Sequence, residues 1–174
     1  MKTTYAAPGF RSLCHSELLS VRACLTKRDT AYGIFLMVVI DTNVIVSALR
    51  SRLGASFLLM DRVSALEIEF AISTALILEY EDVILRHRDD ISLSDSDLEG
   101  YIDSVVALGK VYRPFFLWRP FLSDQKDDHI LELAVVSEST EIVTLNTKDF
   151  REVGKFGIRA ITPKDFLIEK GVIK

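Results

Sequence analysis

The chain has 174 residues, of which 49% are hydrophobic and 26% charged, and a formal net charge of −4. That length holds one domain of ordinary size with some excess, and enough core to fold unaided. The charge argues against a tight passive binder of nucleic acid, which relies on a global basic field. It leaves open an enzyme that meets a polyanion through bound metal ions, because the metal then supplies the positive charge.

The first 36 residues carry five cations against two anions, a balance of +3 that leaves −7 on the remainder. No apolar periodicity runs through Pro8-Gly9-Phe10-Arg11-Ser12, and residues 1–36 read as an unstructured N-terminal extension or a misassigned start. No apolar core precedes a small-residue cleavage site, so a secretory signal is not expected. The longest apolar stretch, Ala31 to Ile40, is shorter than the about 20 residues that span a bilayer, and no membrane partner is expected. Both cysteines, Cys14 and Cys24, fall in this segment. From Met37 onward there is neither a disulfide framework nor a cysteine zinc site, which fits a cytoplasmic setting.

Residues 37–174 alternate short apolar runs with longer periodic ones. Val38-Val39-Ile40 reads as a strand ending in Asp41, followed by helical stretches near 43–50 and over 54–63. Ile68 to Ile72 is a second strand, closed by Ser73-Thr74 as helix caps. Leu76, Ile77, Tyr80, Val83 and Ile84 then repeat at helical spacing to about Arg88. Another helix starts at Ser94 or Asp95, with Leu98, Ile102, Val105 and Val106 on its inner face. Val111 to Phe121 is ambiguous, being aromatic but interrupted by Pro114 and Pro120. A helix over 127–138, strands over 141–145 and 157–161, and a closing helix opened by Thr162-Pro163 complete the chain. Strands separated by helices of this length predict an α/β fold, a parallel sheet with helices on both faces.

In such a sheet every strand's carboxyl end opens onto one edge, where ligands bind. Asp41 follows the first strand, Glu79 lies one turn into the helix after Ile72, and Asp124, Asp127 and Asp128 cluster at a helix start. Asn146 and Asp149 follow the 141–145 strand. Each has a duller reading: a helix-dipole partner for the three aspartates, a solvated face for Glu79, turn residues for Asn146 and Asp149. Jointly they suggest one acidic pocket whose mutual repulsion a hard cation such as Mg²⁺ or Mn²⁺ relieves. Such a site can hold a phosphodiester and activate water. His15, His87 and His129 show no ligand spacing, and His129 reads as a surface helix residue. No Gly-rich phosphate loop occurs, which excludes P-loop hydrolysis. Arg113 to Phe121 interleaves two arginines with four aromatics. Its first reading is burial in the core or a subunit interface, with base stacking and phosphate contact as the alternative.

Four segments taken in order resemble the PIN-domain family: Val39-Ile40-Asp41-Thr42-Asn43-Val44; Leu78-Glu79-Tyr80 with Val83-Ile84-Leu85; Ser123-Asp124 with Asp127 to Ala134; and Val143 to Phe150. They are most similar to the bacterial and archaeal branch of toxin components of toxin–antitoxin systems, and the ending Ile161 to Leu167 is similar too. The resemblance spans Met37 to about Glu169. It implies a three-layer α/β/α sandwich with a central parallel sheet, and a Mg²⁺- or Mn²⁺-dependent endoribonuclease acting on RNA. The metal-binding and catalytic acids it implies are Asp41, Glu79, Asp128 and Asp149. Asp124 and Asp127 would support or share the third station, while Thr42, Asn43, Thr144 and Asn146 would orient carboxylates or water. Many PIN domains carry Asp where this chain has Asn146, which rests the fourth station on Asp149.

The expected activity is RNA cleavage by metal-activated water, with a cognate antitoxin protein as partner and the aromatic 115–121 stretch offering a surface for a homodimer. The first rival is a PIN-like binding module that acts by docking a partner protein. The second, a phosphohydrolase of the haloacid-dehalogenase type, needs an Asp two residues after its nucleophile. Here Asn43 stands there, which counts against it.

Overall fold

Three consecutive β-branched residues, Val38–Ile40, form β1, and none exposes any surface. The structure, a computed structural model, describes residues 37–174. The extension expected over 1–36 therefore lies outside the described residues. α1 (Thr42–Arg50) and α2 (Ala55–Ser64) lead to β2 (Phe70–Ile72). α3 (Thr74–Arg86) and α4 (Asp95–Leu108) follow, then β3 (Lys110–Val111). α5 (Asp128–Val136), β4 (Glu141–Val143), β5 (Arg159–Ile161) and α6 (Pro163–Glu169) complete the domain.

All five strands run parallel in the order β3-β2-β1-β4-β5. β1, β2 and β4 are buried along their whole length, as parallel strands covered on both faces must be. α5 lies against β1, β2 and β4, while α1 packs on α2 and α3, and α2 on α6. The result is the expected three-layer α/β/α sandwich. Among the described residues no helix is long and apolar enough to cross a membrane.

The helix starts follow local chemistry. The Ser73 hydroxyl accepts the Leu76 N–H, Ser94 and Asp97 form a capping box, and Thr162 caps a helix with Pro163 in its first turn. Phe70, Leu76, Tyr80, Leu131, Phe150 and Phe166 fill the core.

Four departures from the sequence expectations have physical causes. β3 lay inside the ambiguous stretch; its two residues are exposed, and it forms because Gly109 lets the chain close on β2. A Cβ at 109 would come within 2.7 Å of the Ile72 side chain. The last strand starts at Arg159 rather than 157, because Arg151–Phe156 is a 3₁₀ helix ended by Gly157 at φ 73°, where L side chains are strained. Val106 is exposed rather than on the inner face of α4. The aromatic stretch is not core: Phe115, Phe116 and Leu117 are 82%, 75% and 65% exposed.

The strand order reverses at β1. Chain connections lead from β1 outward through β2 to β3, then return to β4 on the other side. The carboxyl ends of β1 and β4 therefore flank the topological switch point, where an open α/β sheet leaves a crevice.

Candidate functional site

Asp41 leaves the sheet directly after β1, its N–H still donating to the Val143 carbonyl at 2.9 Å. The residue is buried and occupies the N-cap position of α1, yet its side chain caps nothing. Its Oδ2 instead accepts from Asn43 Nδ2 and from Thr144 Oγ1, both at 2.6 Å. Thr144 is the hub that joins the two strand ends, since its hydroxyl also accepts from Asn43 Nδ2 at 3.2 Å and from Asn146 N–H at 3.0 Å. Asn43 Oδ1 accepts the Leu145 N–H at 3.0 Å. Behind them, the buried Tyr80 phenol donates to the Ile40 carbonyl and fixes the end of β1. Burial pushes that phenol well above its ordinary pKa, so it stays a donor.

Burial raises the pKa of Asp41. The Thr144 hydrogen bond pulls it back, the Glu79 charge raises it again, and the nearby Asn43 and Thr42 amides lower it without reaching good hydrogen-bond geometry. The carboxylate is thus held by neutral donors and faces other acids. The Thr42 hydroxyl beside it is buried with no partner within the protein.

A cleft of about 600 Å³ opens over this end of the sheet, and Asp41, Glu79, Asp124, Asp127 and Asp149 all line it. Asp127 reports their crowding: desolvation, then the charges of Asp41, Asp124, Glu79 and Asp149, push its pKa up to about 7. Arg50 also lines the cleft but is paired with Asp90. Asn146 donates its amide to Asp149 Oδ2. At that position a second carboxylate would repel Asp149, whereas the amide holds it. Asp124 accepts the Lys126 N–H at 3.0 Å and so caps the turn that delivers Asp127.

The structure brings Asp41, Glu79, Asp124, Asp127 and Asp149 together with Thr42, Asn43 and Asn146 around one cleft, with Thr144 beneath. It sets Asp128 apart. That side chain is 1% exposed and turns toward the preceding loop, accepting the Leu122 N–H at 2.8 Å and the Phe121 N–H at 3.3 Å. His129 is not the surface residue expected. Its side chain is 13% exposed, and Nε2 lies 2.7 Å from Glu79 Oε2. Burial pulls the imidazole pKa down, but the Glu79 carboxylate overcomes this and leaves it raised. No sequence signal joins two residues so far apart, and only the packing of α3 against α5 does so.

The donor chemistry fits a hard divalent cation: carboxylate oxygens, one buried hydroxyl, no sulfur. Among the described residues no three His, Cys, Asp or Glu side chains converge as a ready-made cage.

A parallel α/β sandwich with an acidic cleft at its switch point defines the class: an open α/β domain with its candidate site at the carboxyl ends of its strands. A family model described as PIN domain matches residues 37–148, more than half of the chain, and the chain belongs to the PIN-domain family. PIN domains are generally nucleases, so the fold is a nuclease fold. The matched range holds every cleft acid except Asp149, which follows it by one residue. No curated protein matches the chain.

Proposed function

We propose that this domain is a Mg²⁺- or Mn²⁺-dependent endoribonuclease that hydrolyses RNA phosphodiesters, and that it serves as the toxin of a toxin–antitoxin pair. The observation that carries the enzymatic reading is the meeting of five carboxylates, from four separate stretches of chain, in one cleft at the switch point. The toxin role and its antitoxin partner rest on the resemblance of the four motifs alone.

Asp41, Glu79, Asp127 and Asp149 are the residues that would hold the ion. Asp127 takes the station that the resemblance gave to Asp128, because Asp127 faces the cleft. When bound, the ion supplies positive charge against the phosphodiester and lowers the pKa of the attacking water. The chain's own residues do the positioning. Thr144 and Asn43 fix one oxygen of Asp41, Asn146 fixes Asp149, and His129 fixes Glu79. Glu79, on the cleft wall, serves as ligand or as general base.

The test is RNA cleavage by the full chain in Mn²⁺ or Mg²⁺ and in chelator. Wild type is expected to cleave only with the ion, and Asp41→Asn and Asp127→Asn to lose at least about 100-fold, the scale of one general acid–base contribution. Undiminished cleavage by Asp41→Asn overturns the assignment. The rival, a binding module, predicts no cleavage by wild type.

A further inference from the structure

Because the sheet is parallel, the ends of β2 and β3 open on the same edge as the acidic cleft. A second groove of about 250 Å³ lies there, lined by Thr74, Tyr112, Arg113, Leu117, Arg119 and His129 among others. The groove sits at the ends of β2 and β3, and the cleft at those of β1 and β4, neighbours in the strand order. His129 joins the two, since it lines the groove and holds Glu79, which lines the cleft.

The groove's chemistry is opposite to the cleft's. Arg119 is neutralised by the buried Glu132, with Nε to Oε1 at 3.0 Å and Nη2 to Oε2 at 2.8 Å. Arg113 is exposed, and among the described residues it has no carboxylate partner. Its five donors are unspent, in a geometry that matches phosphate oxygens. Thr74 and Ala75, whose first-turn amides have no intrahelical acceptor, also line the groove.

Beside Arg113 stand the rings of Phe115 and Phe116, both mostly exposed. The segment that follows them is held on a fixed base. Glu132 accepts the Trp118 N–H, Asp128 accepts those of Phe121 and Leu122, and the Trp118 ring meets Phe156 edge-on at 5.4 Å. Phe116 packs at 6.2 Å from Trp118. The Phe116 ring, packed this way, loses less freedom on binding than an unpacked one. Free cation, open aromatic faces and an adjoining acidic cleft together match a single nucleic-acid strand, whose phosphates meet arginine and whose bases stack.

We infer that the groove and the 113–117 tip bind single-stranded RNA flanking the scissile phosphate, Arg113 meeting a phosphate and Phe115 and Phe116 stacking on bases. This deepens the ribonuclease reading and rests on it for the identity of the strand. The Arg113 guanidinium, unpaired among the described residues and beside the open rings, is complementary to a phosphate, which favours the strand over a protein occupant.

The experiment is fluorescence anisotropy of a labelled single-stranded RNA oligonucleotide with the full chain in EDTA, at 50 and 200 mM salt, where no ion-dependent cleavage intervenes. Wild type is expected to bind with salt-sensitive affinity. Arg113→Glu should weaken binding at least tenfold, and Arg113→Ala should lower the log–log salt slope by about 1. Phe116→Ala should cost roughly tenfold. Arg62→Gln, on α2 in an ion pair with Glu67 and outside the lining of both groove and cleft, should change nothing, and circular dichroism confirms that each variant is folded. No binding by wild type, or unchanged binding by the Arg113 and Phe116 variants, overturns the inference. So does a Phe115→Ala/Phe116→Ala variant that keeps its RNA affinity but sediments as monomer where wild type is a dimer, which assigns the tip to a second copy of the chain. A wild type that binds this RNA but fails to cleave it in Mn²⁺ would sink the ribonuclease reading while leaving the strand groove standing.

Discussion

Asp127 and Asp128 are neighbours with opposite fates, and the difference is orientation at a helix start. Asp128 is buried against two backbone N–H donors, those of Phe121 and Leu122, while Asp127 stays half-open to a cleft of like charges. A carboxyl pushed to about 7 keeps its proton in the native state at pH values where the unfolded chain, near 3.9, has released it. The native state therefore binds more protons between about pH 4 and 7. Stability falls as pH rises through that window, and the loss is complete above it. In EDTA, thermal melts should show Asp127→Asn more stable than wild type at pH 8 and equal to it near pH 4. Allowing for the solvent that reaches the cleft, the gain is on the order of 1 kcal/mol, roughly 3–4 °C in a domain of this size. A variant no more stable at pH 8 would mean that the five acids do not crowd. The same substitution is expected to abolish cleavage, so stability and function oppose each other at this residue.

At the scale of elements, α5 works as a clamp. Asp128 and Glu132 are four residues apart on one helix face, and both carboxylates reach the 118–122 backbone. Asp128→Asn turns an acceptor-only group into one whose amide meets donors, at a cost of about 1–3 kcal/mol. The melting temperature should drop by roughly 3–10 °C, while calorimetry still detects Mn²⁺ binding, which Asp127→Asn should lose. Mn²⁺ binding lost in Asp128→Asn but kept in Asp127→Asn would return the third station to Asp128. This clamp also marks the limit of what the sequence discloses. β1, β2 and β4 were legible because their apolar runs need no partner to be recognised, and the helix starts because Ser73, Ser94 and Thr162 act locally. β3 was not, since two exposed residues become a strand only when Gly109 lets them approach Ile72. The exposure of Phe115 and Phe116 was not legible either. It depends on carboxylates more than ten residues downstream, and apolar composition alone argues for burial.

Across the whole molecule, the cleft acids came from the rule that parallel strands end on one edge, but which of three clustered aspartates faces inward is a matter of a fraction of a helical turn. The same edge shows why a chain of net charge −4 can meet a polyanion: repulsion is concentrated in the cleft, and an uncompensated cation lies next to it. A divalent ion that binds only the native state stabilises it by mass action, by about 2.7 kcal/mol at a hundred times its dissociation constant. Protons compete for the same carboxylates, because Asp127, pushed up to about 7, holds one below neutral pH, and burial raises Asp41 in the same direction. Mn²⁺ should therefore raise the melting temperature by roughly 5–10 °C at pH 8 and by far less at pH 5, and EDTA should reverse the rise. Asp41→Asn should flatten the response at both pH values, since it removes the carboxylate that Thr144 and Asn43 hold in place. A rise of equal size in Asp41→Asn would show that the ion binds elsewhere on this acidic chain.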